Sequence, residues 1–181
     1  MDIELDDTGR AQAERAALRL ASLQPAMILS SDLSRAANTA AALARHTGLD
    51  VSLDKDLRER HGGSWQGLTD TEIRERYHAE HAAWEPADGE PSQAVTNRVA
   101  AVFRRVAEGL PDGGLAVVVS HGAAIRLGLA GLLGLTEDLS HVLGPLSNCS
   151  WSVAGRRRDG RWRLLEHNAG TLPEPVLGDD R

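Results

Sequence analysis

The chain has a single cysteine, Cys149, in 181 residues. That count excludes an internal disulfide and a cysteine-built zinc cluster, and it suits a reducing compartment, so a cytoplasmic location is expected. Cys149 itself reads as a small buried hydrophobe. No apolar run reaches the ~18 to 20 residues of a membrane span, and the opening residues are acidic where a secretory signal would be basic. A surplus of positive charge is also missing. The formal net charge is −6 and the pI about 5.6, which argues against nucleic acid or an anionic membrane as the main partner. A Gly-x-Ser-x-Gly elbow is lacking as well, so Ser120, which directly abuts His121, is not read as a serine nucleophile. No internal repeat or low-complexity segment is present.

With 41% hydrophobic residues, the chain is long enough for one well-buried core and short for two. A single domain over 1–181 is expected, with the proline-bearing, acidic stretch 171–181 as a frayed tail. The pattern is organised around Leu115 to Arg126. Ala116 to Val119 reads as a buried parallel strand, His121 and Gly122 occupy a turn, and the Ala-rich run from Ala123 to Leu133 reads as a helix. An imidazole therefore sits where the carboxyl end of a strand meets the amino end of a helix. In open α/β sheets that edge binds ligands, and unpaired N–H groups there favour anions. A histidine that merely caps the strand is the alternative.

The same strand, polar turn and helix pattern occurs earlier. Met27 to Leu29 reads as a short strand, Ser30-Ser31-Asp32 as its turn, and Leu33 to Arg45 as a helix closed by Gly48. Arg35 falls in the first turn of that helix, so its guanidinium either folds back toward the edge that holds His121 or stays solvated. Before this unit, Asp6 caps a helix over Asp7 to Leu23 that Pro25 ends; after it, Val51 to Leu53 is a third short strand.

Leu57 to Thr69 holds three glycines around Trp65, which describes a loop with unusual backbone angles anchored by an aromatic side chain. Glu59 at its start is either a proton-donating acid or a salt-bridge partner of Arg58 or Arg60. Thr69 caps a helix from Asp70 to about Tyr77, Trp84 lies in a loop, and Ser92 caps a long amphipathic helix to Gly109. Asn148 to Val153 and Trp162 to Glu166 form a hairpin turning at Asp159-Gly160, with Arg156 to Arg158 as a solvated basic tip. The fold class is α/β: a three-layer sandwich whose central, mostly parallel sheet is flanked by helices and carries a C-terminal antiparallel hairpin.

In order along the chain, Ser30-Ser31-Asp32-Leu33-Ser34-Arg35-Ala36, then Leu57-Arg58-Glu59 with Gly63, Trp65 and Gly67, then Val119-Ser120-His121-Gly122 resemble the histidine phosphatase superfamily, also called phosphoglycerate mutase-like. The resemblance runs from Asp2 to about Leu165. It implies that Arg35, His121 and Gly122 bind the transferred phosphate and that Glu59 donates a proton to the leaving oxygen. Those residue types suit the chemistry: guanidinium and imidazole N–H groups neutralise phosphoryl oxygens, and a carboxylic acid protonates a departing alkoxide. No metal and no cofactor are implied.

The family's nucleophile is another histidine, in an Arg-His-Gly motif at the end of a first, central strand. The resemblance starts past that strand, so the strand and its nucleophile are expected to be absent from this chain as written. Arg60-His61-Gly62 has the letters but lies within the Glu59 loop, and it is read as coincidence. The expected reaction of the longer form is hydrolysis of a small phosphorylated metabolite through a phosphohistidine. A mutase-type transfer and an inactive phosphate-binding pseudophosphatase are the alternatives. The short Glu59–His121 spacing favours the phosphatase, and Trp65 to Thr69 with Asn148 to Trp151 look most like its glucosyl-3-phosphoglycerate phosphatase subgroup. Loss of a sheet strand exposes backbone edges and apolar surface, so a chain that is unstable or self-associates, as in a homo-oligomer, is expected if no partner fills the gap.

Overall fold

The first helix shows how local chemistry sets the elements. In the computed structural model, which describes residues 2–136, 139 and 142–171, α1 spans Asp7–Ala21. The Asp6 carboxylate accepts the Gly9 N–H at 2.6 Å, and Asp7 places negative charge at the positive end of the helix dipole. The helix stops two residues before the expected Leu23. Its end tightens into i to i−3 bonds from Leu23 to Leu20 and from Gln24 to Ala21, ahead of Pro25. After β1 (Met27–Ser30), α2 runs over Ser34–Thr47 and ends on Gly48 at φ 72, a left-handed conformation that glycine adopts without cost.

β1 is the middle strand of a parallel sheet. It pairs with β2 (Val51–Leu53) through Ile28 and Val51 on one side, and with β3 (Ala116–Val119) through Ile28 and Val117 on the other. Strand alternation then splits the core into two faces. Ile28, Val117 and Val119 join Ala13 and Ala17 of α1 and Ala40 and Leu43 of α2. Met27, Leu29, Ala116 and Val118 join Val95, Val99 and Val102 of α5 (Ser92–Glu108) and Ala124 of α6 (Gly122–Leu133). Helices thus cover both faces of the sheet.

β3 departs from the reading of a buried strand, since all four of its residues are partly exposed. It is hydrogen-bonded on one edge only, and the second sheet, formed by β4 (Trp151–Arg156) and β5 (Trp162–Ala169), does not extend it among the described residues. The hairpin turns as expected at Gly160, φ 80, and packs Ala154, Trp162 and Leu164 against Leu129 and Leu132 of α6. Its first strand begins at Trp151 because residues 147 to 150 close a turn: Ser150 N–H donates to the Ser147 carbonyl, and Cys149 sits at φ 52. Cys149 is only partly buried, with its side chain against the α1 and α2 core.

Between β2 and α5, α3 (Asp70–Arg76) has Thr69 as its expected N-cap, and Glu72 reciprocates to complete a capping box. α4 (His78–Ala83) had no sequence signature, because His-Ala-Glu-His-Ala-Ala has no apolar period. Tertiary contacts hold it: His81 Nε2 lies 2.9 Å from Asp70 Oδ1, and Trp84, closing the helix at φ 52, meets Trp65 edge-on at 5.3 Å. Ser92 is the first residue of α5 and not its cap. Pro91 precedes the helix, and the Ser92 N–H donates to the Glu85 carboxylate at 3.2 Å. α5 and α6 pack closely through Gly128, where a Cβ would come within 2.3 Å of a Val99 methyl. The residues described after Gly170 comprise Thr171 alone; the rest of the expected tail lies outside the described residues.

Candidate active site

The parallel sheet brings the carboxyl ends of β1 and β3 side by side, and the two helices that follow, α2 and α6, start there. Arg35 is the second residue of α2, and His121 is the N-cap of α6 with Gly122 as its first residue. The Arg35 guanidinium lies close enough to His121 for its charge to act on the imidazole. Among the described residues that guanidinium makes no hydrogen bond or ion pair; only the Arg35 carbonyl is engaged, by Thr39 Oγ1. A half-buried arginine whose guanidinium makes no hydrogen bond to a carboxylate, though its charge also acts on Asp2, is a ready anion ligand.

His121 is 7% exposed. Burial, then the positive charges of Arg35 and Arg98, push its pKa down to about 3, against a weaker opposite pull from Asp2 and Asp32. The imidazole is therefore neutral at pH 7. Its Nε2 lies 2.9 Å from Oγ of Ser31, a fully buried residue at the end of β1. Nearby carboxylates are already committed. Asp32 takes a two-point contact from Arg58, at 2.7 and 2.6 Å, which holds its carboxyl below the usual range. Asp2 accepts the Ser34 hydroxyl and N–H at the start of α2, and its carboxyl is lowered for the same kind of reason.

Glu59 does not pair with Arg58 or Arg60, the alternative the sequence left open. Arg58 is on Asp32, and Arg60 is on Glu85. The Glu59 carboxylate instead caps α6, accepting the N–H groups of Ala123 at 3.2 Å and Ala124 at 2.9 Å, with a third from Arg60 at 2.8 Å. The acid and the imidazole thus share one helix amino end. Two further side chains, one inside a motif and one outside, hold the Glu59 segment in place. Ser120 donates its hydroxyl to the Leu57 carbonyl at 2.7 Å, which makes it a structural donor. Arg98 of α5 reaches the carbonyls of Asp56 and Arg58 at 2.7 Å and that of Glu59 at 3.5 Å. Sequence reasoning missed Arg98. It borders the buried valine stripe of α5, but nothing in its neighbours distinguishes it from Arg104 or Arg105.

Arg60-His61-Gly62 is not arranged as an anion site. The Arg60 side chain is 8% exposed, with its guanidinium on the carbonyls of Glu90 and Trp84 and on the Glu85 carboxylate. Two of the three glycines of this loop need unusual backbone angles, Gly63 at φ 53 and Gly67 at φ 81, while Gly62 at φ −83 does not; at Gly63 a Cβ would strike Asp88 at 2.2 Å, the residue whose carboxylate accepts Ser64 N–H and Oγ–H. Asp159 pairs with Arg157 and Arg161 in the basic hairpin tip, as a solvated turn requires. No group of three His, Cys, Asp or Glu side chains among the described residues could hold a metal ion, and no helix there is long and apolar enough to cross a membrane. An arginine, a neutral imidazole, a helix amino end and a carboxyl group at one sheet edge can bind a phosphoryl group and exchange a proton with its leaving oxygen.

Residues 1–170 match the model of the histidine phosphatase superfamily, branch 1. A glucosyl-3-phosphoglycerate phosphatase of Mycolicibacterium vanbaalenii is 39% identical over 191 residues, covering 93% of this chain and 85% of that protein. The native structure of a mycobacterial glucosyl-3-phosphoglycerate phosphatase superposes with a TM-score of 0.89 at 36% identity, covering 94% of this chain and 90% of that one. The complex of that enzyme with inorganic phosphate has a TM-score of 0.86 at 37% identity, with 94% and 89% covered.

Proposed function

Because this chain belongs to the histidine phosphatase superfamily, branch 1, we propose that it serves the hydrolysis of a small phosphomonoester through a phosphohistidine. The observation that carries this reading is the meeting of Arg35, His121 and Glu59 at the paired ends of β1 and β3. Arg35 and His121 bind the phosphoryl oxygens, with the backbone at Gly122 beside them. In the first step an imidazole nitrogen forms a bond to phosphorus as the bond to the leaving oxygen breaks, and Glu59 gives that oxygen its proton. In the second, water attacks phosphorus, the N–P bond breaks, and Glu59 takes the proton back.

The nucleophilic imidazole in this reading is not His121, whose Nε2 is already engaged by Ser31. Neither is it His61, because the arginine beside it is tied to Glu85, Trp84 and Glu90. It is the histidine that the resemblance assigns to an Arg-His-Gly strand. The named activity of the mycobacterial relatives makes a glucosylated phosphoglycerate the first substrate to try, and it favours hydrolysis over a mutase reaction. A reducing, cytoplasmic setting fits the single, partly buried cysteine.

The test is hydrolysis of p-nitrophenyl phosphate together with calorimetric binding of inorganic phosphate, for residues 1–181 and for the Arg35→Ala and His121→Ala variants. Phosphate binding that both variants abolish supports the site, and turnover by residues 1–181 would place the nucleophile among their own histidines. Binding without turnover is the outcome expected of residues 1–181, whose own histidines this reading does not use as the nucleophile. No phosphate binding by the parent chain, or binding unchanged in Arg35→Ala, overturns the assignment.

A further inference from the structure

We propose that Ser31 is a positioning residue that locks His121 in one tautomer, with the proton on Nδ1, so that this N–H is the donor offered to the bound phosphoryl group. The assignment follows from counting donors and acceptors at a buried hydroxyl. Ser31 is 0% exposed. Its Oγ accepts the Leu33 N–H at 3.3 Å, and its other partner is His121 Nε2 at 2.9 Å. Were Nε2 the protonated nitrogen, Oγ would accept twice and its own proton would have no acceptor in a dry interior, at a cost of about 1 to 3 kcal/mol. The hydroxyl proton therefore points to the Nε2 lone pair, which makes Ser31 the donor. In a neutral ring the remaining proton is then on Nδ1.

Nδ1 is also the open side of the ring. Among the described residues it has no hydrogen-bond partner, yet it is not one of the buried unpartnered side-chain atoms, which are Trp65 Nε1, Ser147 Oγ and Ser150 Oγ. It therefore reaches the surface of the site. The relay runs from the Leu33 N–H to Ser31 Oγ, from Ser31 O–H to Nε2, and leaves Nδ1–H facing outward. The serine's own place is set by the sheet, since the Ser31 N–H donates to the Val119 carbonyl at 2.9 Å, two residues before His121. A neutral donor beside Arg35 binds a phosphoryl dianion without needing an imidazolium, and it cannot act as a nucleophile through either nitrogen. The tautomer stands on geometry alone; its role in binding rests on the phosphatase reading.

The experiment is long-range 1H–15N correlation NMR of the imidazoles in 15N-histidine-labelled protein at pH 7, with His121 assigned from His121→Gln. The expected spectrum has a neutral His121 with its proton on Nδ1, and inorganic phosphate shifts that Nδ1 signal. Ser31→Ala is expected to move His121 toward the Nε2–H tautomer, and Ser31→Thr, which keeps the hydroxyl, to restore the parent pattern. A parent protein with the proton on Nε2, or a charged ring, overturns the proposal. So does a Ser31→Ala spectrum identical to the parent's. If Ser31→Ala does not fold, the parent and Ser31→Thr spectra decide the tautomer by themselves. An Nδ1–H tautomer that phosphate leaves unmoved overturns the phosphate contact and the phosphatase reading with it, while the tautomer assignment holds.

Discussion

Arg98 and Glu90 meet fork to fork, Nε to Oε1 at 2.7 Å and NH2 to Oε2 at 2.8 Å, with the two side chains 18% and 24% exposed. The remaining Arg98 N–H groups hold the backbone that carries Glu59. This pair is therefore a link between α5 and the acid of the candidate site. Removing the guanidinium leaves a partly buried carboxylate and three carbonyls without their donor.

Arg98→Met is expected to lower stability by about 2 kcal/mol, and Arg98→Lys to recover only part of it, because an ammonium cannot reproduce the two-point contact. Urea denaturation of the three proteins checks this, and a change within about 0.5 kcal/mol for Arg98→Met would count against it. The hydrogen bonds from Arg98 hold the Glu90 carboxyl below its usual range. The pair's contribution is then present above the unfolded-state pKa of about 4.3 and lost as pH falls through the lower folded value. The stability gap between the parent and Glu90→Gln should close in acid.

His121 titrates in the opposite sense to a histidine that gains an anionic partner. Its folded pKa of about 3 lies far below the ordinary value of 6.5, so between those limits the unfolded chain binds a proton that the folded chain refuses. Stability from this residue is present above about pH 6.5 and is lost with acidification at up to about 1.4 kcal/mol per pH unit. Denaturation midpoints from pH 7.5 to 5 should fall more steeply for the parent than for His121→Gln. Parallel curves would show that the imidazole is not buried as a neutral group.

β3 is paired with β1 along one edge and with no described strand along the other. An open edge of Ala-Val-Val-Val offers backbone donors and acceptors to a second copy. Sedimentation velocity of residues 1–181 is expected to show dimers or larger species that grow with concentration. A monodisperse, heat-resistant monomer would exclude this.

The local elements were legible in the sequence because their causes are local. Asp6 and Thr69 cap helices through side chains that act within three residues, Gly48 ends a helix in a left-handed conformation, and strand alternation from Met27 sorts residues to two faces. The ordered motifs around Arg35, Glu59 and His121 marked the candidate site for the same reason, since each is a short run at the start or end of an element. The partners of those residues could not be read that way. Glu59 lies beside two arginines in sequence, yet its carboxylate caps a helix some 64 residues on. His121 depends on Ser31, 90 residues earlier, and the Glu59 backbone depends on Arg98, 39 residues later. α4 exists through Trp65, Trp84 and Asp70, and β3 is half-exposed because no described strand pairs along its second edge. Contacts across such separations follow from how the sheet and helices stack, and stacking is decided by shape and burial over the whole chain.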